Sequence, residues 1–205
     1  MVIFLIGVIA GETIPVLLTT YQEKELLTRW KKTFSVISQI TVSLNDNGNN
    51  SSINWGLVPP LTFKNYYKQN LNVLGDALAP AFFAPTFHPY KNTSVSFGIT
   101  DTYALILADG VTLYFNSMLS NCGFPSGTLA NMCGYIIVDV NGKNGPNMIG
   151  KDFFQIIIAK PNGYYIAVPA GGNGSAGTCV AGSNSVDSLG CSAKALLAKT
   201  PADMP

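Results

Sequence analysis

Met1-Val2-Ile3-Phe4-Leu5-Ile6-Gly7-Val8-Ile9-Ala10 is an uncharged apolar run, and only Glu12 interrupts that character before Leu18. Beyond it the apolar residues fall at Leu27, Trp30, Phe34, Ile37, Ile40 and Leu44, a helical period with one buried stripe. Lys24, Arg29, Lys31 and Lys32 fill the positions between. The spacing therefore predicts one long helix over 1–44, apolar at its start and amphipathic at its end. Pro15 sits inside it and should bend its axis, because proline removes a helical hydrogen bond. Such a rod would be roughly 65 Å long at ~1.5 Å per residue. That exceeds the size of a typical globular helix, so it should project from its domain into a membrane or a partner.

The residues after the rod divide by composition. Asn45-Asp46-Asn47-Gly48-Asn49-Asn50-Ser51-Ser52 should end the helix in a surface loop. Pro59-Pro60 should keep helix from resuming early. Phe63, Tyr66, Tyr67, Leu71, Leu74 and Leu78 then stand at helical spacing and predict a second helix over Phe63–Leu78. Pro80, Pro85 and Pro89 leave Ala79–Asn92 irregular. Strands are expected at Ser94–Ile99, Tyr103–Leu107, Val111–Phe115, Tyr135–Val140, Phe153–Ala159 and Tyr164–Val168. Asp109-Gly110 and Asn162-Gly163 are suited to tight hairpin turns between them. Ala193–Lys199 should form a last turn or two of helix. Strands joined by tight turns make an antiparallel meander, and the amphipathic half of the first helix supplies the cover for its apolar face.

The chain has 205 residues, enough for one domain with a core plus the rod. A net charge of +1 with 11% charged residues gives no basic footprint for nucleic acid. Cys122, Cys133, Cys179 and Cys191 form no Cys-x-x-Cys pair, and His88 is remote from them in sequence, so zinc has little support. Two short-loop disulfides in an oxidising compartment fit better. Four cysteines allow three pairings, of which Cys122 with Cys133 and Cys179 with Cys191 is the one taken here.

Two stretches resemble the type IV pilins and type II secretion pseudopilins. The first is Gly7-Val8-Ile9-Ala10, Thr13-Ile14-Pro15-Val16-Leu17-Leu18 and Tyr21-Gln22, with the basic continuation Trp30-Lys31-Lys32-Thr33-Phe34. The second is Val138-Asp139-Val140-Asn141-Gly142-Lys143-Asn144-Gly145-Pro146-Asn147, followed by Gly150-Lys151-Asp152-Phe153-Phe154. Leu107-Ala108-Asp109-Gly110-Val111 and Gly190-Cys191-Ser192-Ala193 are similar to the same group. The resemblance implies an α+β pilin-like fold, a long N-terminal helix packed on a C-terminal antiparallel sheet. Residues 1–20 would form the membrane or filament-core segment and 21–205 the globular domain. Within that domain, 21–44 would be the amphipathic half of the helix, 45–102 a variable region and 103–205 the sheet with its disulfide-tied end.

The family's basic leader, cleavage site and following glutamate would lie before Met1, about two helical turns upstream if Pro15 matches the family's proline. A start codon lying further upstream or a shortened copy is the expectation. The implied function is structural: subunits wait in the bacterial inner membrane, then stack their helices into a periplasmic or extracellular filament. The partners would be other pilin-like subunits and an inner-membrane assembly platform, and the roles of such filaments include adhesion. Two further readings of the apolar start stay open. One is a secretory signal peptide before a secreted binding module, with a mature chain beginning near Gly11 or Glu12. The other is an ordinary core helix, since the run falls short of the ~20 residues that span a bilayer.

Asp139, Asn141, Asn147 and Asp152 could place oxygens around a hard cation, and some pseudopilins hold calcium in this region. Calcium favours six to eight such ligands, and the spacing is not that of an EF-hand. The preferred reading is that these residues cap turns through side-chain to backbone bonds. No catalytic cluster is expected: His88 has no evident carboxylate partner and the serines lack a nucleophile elbow. Glu12 is the unusual residue, because a carboxylate at a bilayer centre costs roughly 2.5–3.5 kcal/mol. Glu12 and Pro15 are therefore expected to act in assembly, Glu12 through a basic partner on a neighbouring subunit.

Overall fold

Trp30 fixes where the long helix lies. In the computed structural model the described residues are 2–45, 59–78, 103–116, 119, 121–126, 129–142, 144, 149–172, 179 and 189–203, and side chains of the first helix are described from Thr19 onward. Helix α1 runs Val2–Ser43 as 42 residues, continuous through Pro15. Trp30 is fully buried, stacks on Phe154 at 4.4 Å between ring centroids, and donates its indole N–H to the Ser192 carbonyl at 3.3 Å. Among the described residues seven strands form one sheet: β1 (Val73–Leu78), β2 (Tyr103–Leu107), β3 (Thr112–Asn116), β4 (Phe124–Ser126), β5 (Leu129–Asp139), β6 (Phe153–Ala159) and β7 (Ile166–Pro169). Their order is β1-β2-β3-β5-β6-β7, with β4 paired to β5, and every pairing of strands is antiparallel. The class is α+β, an N-terminal helix packed on an antiparallel sheet.

Strand alternation divides the core into two faces. On one face Leu105, Leu113, Phe115, Ile136, Val138, Phe154, Ile156 and Ile158 pack beneath α1, α2 (Pro59–Gln69) and α3 (Cys191–Leu197). On the other lie Ala104, Tyr114, Ile137, Phe153, Ile157 and Val168, buried with Ile149 and Leu189. Tyr67 on α2 buries its ring against Phe115, and its hydroxyl shares a 2.6 Å hydrogen bond with Thr41. Burial pushes that phenol well above its ordinary pKa, so it stays neutral. At the far end of α1 the Asn45 amide donates to the Tyr165 carbonyl at 2.9 Å. It also accepts from the Tyr165 N–H at 2.8 Å, imitating a strand partner beside β7.

The expected second helix needs correction. Helix α2 begins at Pro59, earlier than expected, and stops at Gln69; the remainder becomes β1. Proline is tolerated in a helix's first turn, where its missing N–H has no helical acceptor to lose. Leu71, Leu74 and Leu78 fell at helical spacing by coincidence, for Leu74 is 74% exposed on an edge strand that pairs with β2. Strand β5 starts at Leu129, earlier than Tyr135, and shifts register between Met132 and Gly134. Strand β4 has no counterpart in the sequence reading. Strand β6 coincides with Phe153–Ala159, and the β2–β3 hairpin turns at Asp109-Gly110 with Gly110 at φ 86°. Asn162 and Gly163 both carry positive φ in the turn before β7. The expected strand Ser94–Ile99 and irregular stretch Ala79–Asn92 lie outside the described residues.

Trp30→Ala should destabilise the fold by about 3–5 kcal/mol, the range for emptying a buried aromatic site. Trp30→Phe keeps a ring over Phe154 but abandons the Ser192 carbonyl, and should cost distinctly less. Urea denaturation followed by far-ultraviolet circular dichroism reads both, and equal losses would remove the stack from its central place.

Candidate functional site

The loop joining β5 to β6 brings two carboxylates into the interior. Asp139 ends β5 and Asp152 precedes β6; both are buried. The turn makes this possible, because Val140 donates its N–H to the Asp152 carbonyl at 2.9 Å and Asp139 pairs in register with Phe153. Asp139 Oδ1 accepts the Asn141 N–H at 3.2 Å, and Asn141 Nδ2 donates to Asp152 Oδ2 at 3.1 Å. Asn141 thus stands between the two acids. Gly142 follows at φ 63°, and a Cβ there would come within 2.5 Å of the Gly110 carbonyl oxygen. Only glycine fits this contact between the loop and the β2–β3 turn.

Burial, with the neighbouring Asp152 carboxylate adding to it, pushes Asp139 up to about 8 from its ordinary 3.8. At neutral pH this pair therefore holds a proton on Asp139 instead of two adjacent charges. Asp139, Asn141 and Asp152, which the sequence offered as candidate cation ligands beside the preferred turn-capping reading, do come together, while Asn147 lies outside the described residues. Three side chains fall short of the six to eight oxygens that calcium favours. The two aspartates' oxygens also accept N–H donors of the same loop. Among the described residues no group of three or more His, Cys, Asp or Glu side chains is gathered for a metal.

This loop is fastened to α1. Lys151 Nζ lies 3.1 Å from Glu23 Oε1, and Arg29 reaches the Asp109 and Val140 carbonyls at 3.1 and 3.4 Å. Lys32 pairs with Asp109 at 2.9 Å; burial alone would raise the Asp109 pKa, yet the ammonium holds it below its usual value. A cavity of about 300 Å³ opens beside this pair, floored by Val36, Ile37, Leu71 and Leu107. On the same face, at the β1 end of the sheet, Asp76 accepts from both Lys64 and Lys68 of α2, and Lys64 is buried. The sequence reading missed these ties; Lys32 and Asp109, 77 residues apart, and Lys151 and Glu23, 128 apart, carry no local signal.

Disulfides join Cys122 to Cys133 and Cys179 to Cys191. The first closes the β4–β5 hairpin, and the second anchors the chain at Cys179 to the start of α3. Glu12 and Pro15 lie on α1, though their side chains are outside the described set, and His88 is outside it altogether. Ahead of Glu23 on α1, Thr19, Thr20, Tyr21 and Gln22 are all exposed in succession. A helix packed on a sheet cannot expose four consecutive residues, so the rod stands clear of the domain there. Among the described residues no helix is long and apolar enough to cross a membrane. Comparison with known proteins finds no matching family model, no matching curated protein and no matching solved structure.

The carboxylate pair sets a pH dependence. A raised acid binds its proton more tightly in the folded chain, so its stabilising share is complete below about pH 4 and is lost as pH rises towards about 8. The slope reaches at most about 1.4 kcal/mol per pH unit for one group. The melting temperature should therefore fall between those pH values, and Asp139→Asn should flatten the fall and melt higher at pH 8. A parallel slope in the variant would show that Asp139 is not the group responsible. Adding millimolar calcium at pH 8 tests the ligand expectation, which requires a rise in melting temperature that Asp139→Asn abolishes.

Proposed function

We propose that this chain is a pilin-like structural subunit of a type IV pilus or type II secretion pseudopilus, assembling into a filament through α1. The observation that carries the reading is the 42-residue helix, roughly 63 Å at ~1.5 Å per residue, whose side chains bury against the domain from Leu27 onward and are exposed over Thr19–Gln22. An α+β domain gains nothing internally from that exposed turn. That length has a use when it is buried elsewhere, among equivalent helices or in lipid. Before assembly the apolar segment would sit in the bacterial inner membrane; afterwards it would line the filament core, with the domain outside.

The energetic logic follows from apolar burial, at about 25 cal/mol per Å² removed from water, or from helix packing where the surroundings are lipid. Both disulfides suit an oxidising compartment outside the cytoplasm. The subunit's work is mechanical, and a separate inner-membrane platform would drive it. Asp139, Asn141 and Asp152 then serve the domain by bracing the β5–β6 loop, whose ties to α1 run through Lys151 and the Val140 carbonyl.

Sheared surface filaments from a host carrying the assembly machinery test this, read by immunoblot and electron microscopy. The full chain should appear in the sheared fraction. Glu12→Gln should lower that yield several-fold while leaving the domain's melting temperature unchanged. A soluble mature protein whose N-terminal sequence begins near Gly11 or Glu12 would overturn the reading in favour of a secreted binding module.

A further inference from the structure

The face of α1 turned away from the sheet repeats every seven residues. From Glu25 onward its exposed positions are Glu25, Thr28, Lys32, Ser35, Gln39 and Val42, alternately three and four apart. They lie opposite the buried side chains Trp30, Ile37 and Leu44. This spacing keeps a single seam facing a neighbouring helix along the whole stretch. The seam holds one acid and one base, Glu25 and Lys32, one heptad or roughly 10.5 Å apart along the axis. Each has a partner within the chain, Arg29 and Asp109 respectively. Their side chains nevertheless stay 48% and 65% exposed, with room for a second partner.

We infer that a second copy of this chain docks on the seam, parallel and displaced by one heptad, with Glu25 of one copy against Lys32 of the next. The inference rests on the filament reading, which supplies parallel helices, and charge complementarity selects the register. With no displacement, Glu25 meets Glu25 and Lys32 meets Lys32, which is repulsive. Displacement by one step along the seam sets each seam charge against a neutral seam side chain, Thr28 or Ser35. A shift of fourteen leaves Glu25 opposite Gln39. Among the seam positions only a shift of seven pairs opposite charges, and it also sets Thr28 against Ser35 and Ser35 against Val42. The contact is heterologous: each copy offers Glu25 to one neighbour and Lys32 to the other, so it propagates instead of closing on itself.

Two measurements on the full chain in assembled filaments test the register. Oxidising the Thr28→Cys/Ser35→Cys double variant should give a ladder of covalent multimers on a non-reducing gel, and neither single variant should do so. Glu25→Lys or Lys32→Glu alone should cut sheared filament yield about tenfold, and the two together should restore it to within about twofold. Absence of the ladder, single variants at parental yield, or no rescue in the double variant would overturn the register while leaving the filament reading in place. Parental chain that yields no filament at all would overturn both.

Discussion

The stack of Trp30 on Phe154 is the contact on which the arrangement depends. It joins α1 to a central strand, and the indole N–H extends the tie to α3 through the Ser192 carbonyl. Ser192 in turn receives the Gln155 N–H at its hydroxyl and donates to the Leu189 carbonyl. One aromatic side chain thereby holds helix, sheet and C-terminal segment in a single relation. Burying a ring of this size excludes water from the centre of the face, and the indole's polar edge fixes its orientation.

Around that centre, the ends of α1 are held by polar contacts that would be weak individually. Arg29 and Lys32 grip the β2–β3 turn, Lys151 reaches Glu23, Lys31 caps the Ala198 carbonyl, and Asn45 extends the edge of β7. Exposed ion pairs usually contribute ~1 kcal/mol or less. Their value here is directional, since they fix the helix lengthwise and leave one clean face outward. These contacts run from Glu23 to Asn45, and Thr19–Gln22 ahead of them are exposed.

The buried acids Asp139 and Asp152 belong to this scheme. A loop forced to approach the β2–β3 turn through Gly142 brings both carboxylates inside, and Asn141 links them. The cost of burying two acids side by side is reduced by keeping a proton on Asp139. The three side chains tie the loop to itself, while Lys151 and the Val140 carbonyl carry its ties to α1.

Sequence alone determined the elements whose signals are local. Helical period set α1 to within a residue at each end, continuous β-prone residues set β6, and Asp-Gly and Asn-Gly marked two turns. It also brought Asp139, Asn141 and Asp152 to notice, because oxygen-bearing side chains clustered within one loop. Tertiary structure decided the rest. Val73–Leu78 became a strand because β2 offered it hydrogen bonds, outweighing a helical spacing that no core was there to reward. Strand β4 exists through its pairing with β5, and the raised proton affinity of Asp139 through burial that no sequence window displays. Local periodicity is written in neighbouring residues, whereas pairing and desolvation depend on partners that only folding brings near.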